Sequence, residues 1–281
     1  MGRLHGPAIV DRARAIVTAY GELGCTLRQA HYRLVAEGLL PNTPPIYRRL
    51  SSQLAQARRD GHFPDLIDTL REVHVPPAWA NASAFLAEVP GWLALDRTAG
   101  QRTAYVAAEK DTLRRMFTEW LADLGILVLV VRGFGSQSYV DVVRARTARD
   151  PHPAVLLYVG DFDCSGADIE PDWVARTGCW SKVERIVLTY EQTQAYELPA
   201  AEGKQDDPRW PAFARRYGFD LDQPVQWEVE ALDPAELQRL VLEAMESHVD
   251  RSKLARQLAE EQRQRRQLAD FLRQFDGSGG P

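Results

Sequence analysis

The sequence is poor in cysteine and has no long apolar run. Its 281 residues include three cysteines (Cys25, Cys164 and Cys179) and no CxxC pair, which argues against a disulfide framework and against a zinc site built on cysteine pairs. No window approaches the roughly 18 uninterrupted apolar residues that a membrane span needs. The N-terminal stretch MGRLHGPAIVDRARAIV carries charges within its apolar part, unlike a signal peptide. We therefore expect an intracellular, cytoplasmic protein without a membrane partner.

A phosphate-binding loop of the Walker type is also missing. GFGSQS at 133–138 and the pair Gly203-Lys204 do not complete the pattern GxxxxGK[ST]. We therefore expect no ATP site in this chain.

The net charge of −5 hides a gradient along the chain. Residues 1–60 contain nine arginines and four acidic residues and so carry +5, which leaves −10 for the rest of the chain. A basic head joined to an acidic body indicates two domains with different tasks.

Three short helices are predicted in the basic head, residues 1–73. The apolar spacing of PAIVDRARAIVTAYGELG predicts the first, Thr26 can cap the second (LRQAHYRLVAEGLL), and Pro44-Pro45 can open the third (IYRRLSSQLAQARRDG). This arrangement is typical of a helix-turn-helix or winged-helix DNA-binding domain. A small helical bundle with a solvated basic face is the alternative. The candidate DNA-binding arginines are Arg33, Arg48, Arg49, Arg58 and Arg59.

Strands and helices alternate after a connector at 74–100. Continuously apolar strands in such an alternation predict an α/β domain with a parallel sheet covered on both faces, within 101–246. The expected strands are TAYVAAE, ILVLVV, AVLLYVG and ERIVLT, and VQWEVEAL could add an edge strand. A charged helix is predicted over 247–281, with disorder at the final DGSGGP.

Carboxylates follow two of the predicted strands. Glu109 follows TAYVAA, and Asp161 and Asp163 follow AVLLYVG. Because parallel strands end at the same edge of a sheet, these three side chains converge if the two strands are neighbours. An all-oxygen ligand set selects Mg²⁺ or Mn²⁺ over zinc. The alternative is that the aspartates only cap the next helix.

Two motifs in a fixed order resemble one family of DNA-cleaving proteins. Glu109 within YVAAEKDTL, followed by DFDCSG at 161–166, resembles the Toprim domain shared by topoisomerases, primases and some nucleases. TLRQAHYRLV at 26–35 resembles the catalytic helix of the topoisomerase VI A subunit and of its relatives that make meiotic double-strand breaks. VEALDPAEL at 229–237 is similar to a late segment of the A subunit. The resemblance covers roughly residues 10–245. His31 and Gln29 depart from the family pattern, which has an aromatic and an acidic residue there.

The resemblance implies a catalytic role for each matching residue. Tyr32 would attack a DNA phosphate and form a 5′-phosphotyrosyl link, while Glu109, Asp161 and Asp163 hold Mg²⁺. Arg28 lies one helical turn before Tyr32, where it can hold the scissile phosphate. The family further implies a homodimer on double-stranded DNA, with each site shared between subunits, and possibly a separate ATPase subunit of the B type. Such a protein would be nucleoid-associated.

Two other functions remain open from the sequence. A Toprim hydrolase would cut DNA with metal and water and would form no covalent link. A non-catalytic relative would bind DNA only. Tyr32 could also be a packing residue of an amphipathic helix, and Tyr47 in the next helix is a rival nucleophile.

Overall fold

The computed structural model describes residues 6–21, 24–67, 75–98, 103–150 and 152–277, and it begins with three helices. These are α1 (Gly6–Ala19), α2 (Leu27–Ala36) and α3 (Pro44–Arg59). They match the three helices expected from the sequence. Within 6–21 and 24–67 there is no strand, so this part of the N-terminal domain is helical.

Local chemistry explains where these helices begin. The Gln29 N–H donates to Thr26 Oγ1 at 3.2 Å, and the Thr26 N–H donates to Gln29 Oε1 at 2.8 Å, so α2 starts with a reciprocal capping box. Proline at the start of α3 fits a first helical turn, where its missing N–H costs nothing. The three helices bury a common core of Ala13, Ala30, Leu34, Leu50 and Leu54.

The connector and the C-terminal tail pack against each other. The connector contains α4 (Ala82–Trp92), and the tail forms the long helix α11 (Arg251–Gly277). Glu261 of α11 accepts a hydrogen bond from the Leu95 N–H at 2.9 Å and pairs with Arg97 at 3.1 Å. Of the segment DGSGGP, residues 276 and 277 belong to α11, and 278–281 lie outside the described residues.

A four-stranded parallel sheet follows, as the sequence predicts. Its strands are β1 (Ala104–Ala108), β2 (Leu127–Val130), β3 (Ala154–Val159) and β4 (Trp180–Val187), and the intervening helices are α5 (Arg114–Leu121), α6 (Gln137–Thr147) and α7 (Gly166–Thr177). The strand order is β2-β1-β3-β4. Neighbouring β1 and β3 pair with Ala108 opposite Val159, so the residues that follow them leave the sheet side by side.

Both faces of the sheet are buried. Val106 and Leu157 face a core with Phe117 of α5. On the other face, Leu156 packs in a core with Trp173 of α7. Such two-sided burial explains the continuously apolar strands.

The chain between β4 and α11 differs most from the prediction. It forms α8 (Tyr190–Ala195), α9 (Trp210–Tyr217), α10 (Pro234–Glu246) and a two-stranded antiparallel ribbon of β5 (Ala201–Glu202) and β6 (Val225–Gln226). VQWEVEAL is therefore a strand for two residues only, and it continues into a 3₁₀ turn at Val229–Ala231. The Val229 N–H at the start of this turn donates to a buried carboxylate, Asp161 Oδ1, at 2.9 Å. Among the described residues, no helix is both long and apolar enough to cross a membrane.

Candidate functional site

The carboxylates predicted from the sequence meet at the carboxyl edge of the sheet. Glu109 follows β1, and Asp161 follows the neighbouring strand β3. The Asp161 N–H donates to Glu109 Oε2 at 3.1 Å. The sequence left open whether the strands before Glu109 and Asp161 are neighbours, and the pairing of β1 with β3 shows that they are.

Two glycines leave room for these carboxylates. A Cβ at Gly160 would stand 2.6 Å from Glu109 Oε2. A Cβ at Gly166 would stand 3.4 Å from the same oxygen and 3.3 Å from Asp163 Oδ1. Glu109 and Asp163 therefore face one small space that only glycine backbone keeps open.

Asp161 is the most constrained of the three acids. Its residue is 6 % exposed, and Lys110 Nζ lies 2.6 Å from Asp161 Oδ2. Its other oxygen accepts from the Val229 N–H. A lysine ammonium therefore stands where a divalent cation would have to bind this carboxylate.

Asp163 points to a different partner. Its Oδ1 accepts from the Gly166 N–H at 2.5 Å, at the start of α7. The N-cap residue of α7 is Ser165, which makes no side-chain capping bond, so Asp163 satisfies the first N–H of the helix from two residues before the cap. This is close to the helix-capping role that the sequence offered as the alternative to a metal ligand. Within the described part of the chain, no group of three His, Cys, Asp or Glu side chains is arranged to hold a metal ion. The oxygen-only donors and the glycine-lined space nevertheless fit Mg²⁺, once Lys110 leaves Asp161.

Two further glutamates connect this edge to the N-terminal helices. Lys110 Nζ lies 3.2 Å from Glu228 Oε2 and 3.8 Å from Glu230 Oε2. Arg28 of α2 forms an ion pair with Glu228, and its Nε lies 3.7 Å from Glu230 Oε2. We call Arg28, Lys110, Asp161, Glu228 and Glu230 the ion-pair network. It links α2 to the acidic edge of the sheet within one chain.

Tyr32 lies beside this network. It is 4 % exposed and lines a cavity of about 420 Å³ together with Arg28 and Glu228. Burial, followed by the negative charge of Glu228, raises the pKa of its phenol, and Arg28 partly opposes that shift. Tyr32 therefore needs a cation or a base before it can act as a nucleophile at neutral pH.

His31 lies directly before Tyr32 on α2 and packs among aromatic rings. Its ring contacts Tyr32 at 5.7 Å and Tyr47 at 5.2 Å between centroids. Its Nε2 lies 3.3 Å from Asn42 Oδ1. Burial lowers the pKa of His31, so the neutral ring serves as part of an aromatic cluster.

Burial and crowding of charge shift the pKa values at the acidic edge. Burial, and then the charges of Asp161 and Asp163, raise the pKa of Glu109 to about 7. Burial also raises the pKa of Glu230, against the opposing effect of Lys110 and Arg28. For Glu228, burial is outweighed by the same two cations, so its pKa is lowered. A bound cation would remove the cost of ionising Glu109.

The predicted DNA-binding arginines lie outside the ion-pair network. Four of them are exposed on α3 (Arg48, Arg49, Arg58 and Arg59). Arg33 of α2 is half-buried, with Nη1 3.9 Å from Asp233 Oδ2. Arg58 has an acidic neighbour as well, since its Nη2 lies 3.3 Å from Asp65 Oδ1. All four arginines of α3 are nevertheless exposed, so solvent reaches their guanidinium groups.

Replacing Glu109 with glutamine should stabilise the metal-free protein at alkaline pH. Because the folded-state pKa of Glu109 is about 7 and its ordinary value is 4.5, the native state binds this proton more tightly than the unfolded chain. The wild-type protein therefore loses stability as the pH rises from about 4.5 through 7. Glu109→Gln removes that loss. We expect the free energy of unfolding to rise by about 1–3 kcal/mol at pH 8, and this gain to disappear below about pH 4.5.

Urea unfolding in EDTA at several pH values measures this difference. Glu119→Gln on the exposed side of α5 is the matched control and should show no pH-dependent gain. An equal effect of Glu109→Gln at pH 5 and pH 8 would contradict the assigned pKa.

Sequence reasoning missed three members of the ion-pair network. Lys110 directly follows Glu109, and Glu228 and Glu230 flank one valine in WEVEAL. Two acids spaced two apart were a visible signal, but their 3₁₀ turn and their position opposite α2 depend on contacts across about 200 positions of sequence.

Comparisons with known proteins name no family for this chain. No family model, curated protein or solved structure matches it significantly.

Proposed function

We propose that the protein is a Mg²⁺-dependent enzyme that cleaves DNA by tyrosine transesterification, in the manner of the topoisomerase VI A subunit. The observation that carries this proposal is the ion-pair network. Arg28, one helical turn before Tyr32, pairs with Glu228, and Glu228 shares Lys110 with Asp161. The candidate nucleophile, its arginine and the candidate metal ligands thus belong to one site.

The proposed step makes one bond and breaks another. The Tyr32 oxygen forms a bond to the DNA phosphorus, and the bond from phosphorus to the 3′ oxygen breaks, which leaves a 5′-phosphotyrosyl link and a free 3′ hydroxyl. Tyr32 loses its proton and the departing oxygen gains one. Arg28 holds the phosphate by its guanidinium. Mg²⁺ or Mn²⁺, held by Glu109, Asp161 and Asp163, would steady the charge on the phosphate and on the leaving oxygen.

The DNA duplex is proposed to lie across both domains. The arginines exposed on α3 would contact its backbone, while α2 presents Tyr32 to the scissile phosphate. Cutting both strands requires two copies of the site, so we propose a homodimer. Strand passage would need a separate ATPase subunit of the B type.

The burial of Tyr32 favours a second candidate, a Toprim hydrolase. A phenol that is 4 % exposed has to be uncovered before it can reach a phosphate, whereas the edge that carries Glu109 needs only metal and water. In that case Tyr32 is a packing residue beside His31.

Trapping the protein on DNA under denaturing conditions tests the proposal. Transesterification gives a protein–DNA adduct that requires Mg²⁺ and is absent in EDTA. Hydrolysis gives cut DNA with no adduct. A protein that binds DNA but leaves it intact in Mg²⁺ and in Mn²⁺ would be the non-catalytic relative.

A further inference from the structure

The cavity beside Tyr32 has the shape and chemistry of a binding site. It lies between the helices α2 and α3 and the small ribbon of β5 and β6, and its volume of about 420 Å³ is that of a small-ligand pocket. At one side of the cavity the two domains are joined by a hydrogen bond, which Asn42 Nδ2 donates to the Ala200 carbonyl at 3.0 Å. The proposed transesterification involves only two of the residues that line this cavity, Tyr32 and Arg28.

The walls of the cavity combine an aromatic face with a polar edge. Tyr47 supplies the aromatic wall: its ring forms a T-shaped contact with His31, and the Arg28 guanidinium lies over one side of it at 5.7 Å from the ring centre. The ribbon supplies the polar lining residues Glu202 and Gln226. A flat ring with apolar faces and hydrogen-bonding edges is complementary to such walls.

Charge restricts the class of ligand. Glu202 and Glu228 both line the cavity and Arg28 is its one cationic lining residue within the described chain. Because the proposed function assigns Arg28 to the scissile phosphate, a second anion would gain little there. A neutral heterocycle is favoured instead. A carboxylate at the edge accepts hydrogen bonds from exocyclic amino groups, as it does from cytosine.

We propose that this cavity takes one unstacked, amino-bearing nucleobase of the DNA, next to the phosphate that Tyr32 attacks. The inference rests on the proposed function for the position of that phosphate, and it adds a site of base selection to it. Adenine, cytosine and guanine each offer an amino group to Glu202, whereas thymine offers none. Extruding a base from the stack costs a few kcal/mol, and stacking on Tyr47 offsets part of that cost.

Free deoxynucleosides test the cavity without any cleavage. We expect deoxyguanosine, deoxyadenosine and deoxycytidine at millimolar concentration to shift protein NMR signals of the full-length chain, and thymidine to bind several-fold more weakly. Tyr47→Leu should weaken binding about tenfold, while Tyr47→Phe retains it because the ring remains. Glu202→Gln, at an exposed position, removes the negative charge and adds a donor that thymine oxygens accept, so it should weaken the preference over thymidine.

The outcomes separate this inference from the proposed function. Absence of nucleoside binding, or equal binding by Glu202→Gln and by the wild-type protein with no preference over thymidine, overturns the base-binding site. Binding with these preferences supports it. If nucleosides bind while no adduct with Tyr32 forms on DNA, the base-binding site is supported and the proposed transesterification is refuted.

Discussion

Tyr32→Phe should abolish the covalent protein–DNA adduct, with a loss of at least about 10³-fold in adduct yield. Phenylalanine keeps the ring that packs against His31 and removes only the oxygen that would bond to phosphorus, so the fold and DNA binding are retained. The measurement is a denaturing gel of end-labelled duplex DNA incubated with Mg²⁺.

Tyr20→Phe is the matched control for this loss. Tyr20 belongs to the same helical domain, and its hydroxyl lies 3.4 Å from Asp233, outside the cavity that Tyr32 lines. Its adduct yield should stay within about twofold of the wild-type value. Adduct lost with Tyr47→Phe and kept with Tyr32→Phe would assign the nucleophile to Tyr47.

A mixing experiment tells whether the site is built within one chain. The ion-pair network joins Arg28 of α2 to the acids of its own chain, whereas the resemblance to topoisomerase VI A subunits implies a site shared between subunits. With an intrachain site, a mixture of Tyr32→Phe and Glu109→Gln proteins stays inactive. Recovery of the adduct in the mixture would place the tyrosine and the metal ligands of each site on different subunits.

Lys110→Met should strongly destabilise the metal-free protein and increase its response to Mg²⁺. Lys110 is the ammonium partner of Asp161 and lies close to two more glutamates. The Asp161 side chain is buried, whereas that of Lys110 is 28 % exposed. Removing one partner of a fully buried pair costs about 3–5 kcal/mol, because the remaining charges are left uncompensated, and partial exposure of Lys110 makes this an upper bound. For a chain of this size we expect a fall in Tm on the order of 10 °C in EDTA.

Magnesium should restore more stability to Lys110→Met than to the wild-type protein. In the wild-type protein the cation has to displace the ammonium from Asp161 Oδ2, whereas in the variant that oxygen is open. Lys182→Met is the control, since its ion pair with Glu184 at 2.7 Å is exposed on both sides, and exposed pairs contribute about 0–1 kcal/mol. Equal Tm values for the two variants in EDTA, or equal Mg²⁺ responses of Lys110→Met and the wild-type protein, would rule out competition between lysine and metal.

The sequence predicted the elements that local patterns define. The apolar spacing and the Thr26 and Pro44 signals locate α2 and α3 because capping and proline geometry act within a few residues. The apolar strands alternating with helices predicted a parallel sheet, and the acids that follow two of these strands predicted carboxylates at its edge. The parallel sheet is confirmed by the strand order. Glu109 and Asp161 follow neighbouring strands, and the Asp161 N–H donates to Glu109 Oε2.

The sequence by itself determined the three helices, the parallel strands and the positions of Glu109, Asp161 and Asp163 at their ends, because each depends on residues close together in the chain. Only the tertiary structure decided the strand order, the 3₁₀ turn that carries Glu230, and the pairing of Arg28 with Glu228. The position of Lys110 beside Asp161 was likewise decided only by the tertiary structure, since it depends on two strands becoming neighbours. The physical reason is that burial and charge pairing act between segments that no local pattern connects.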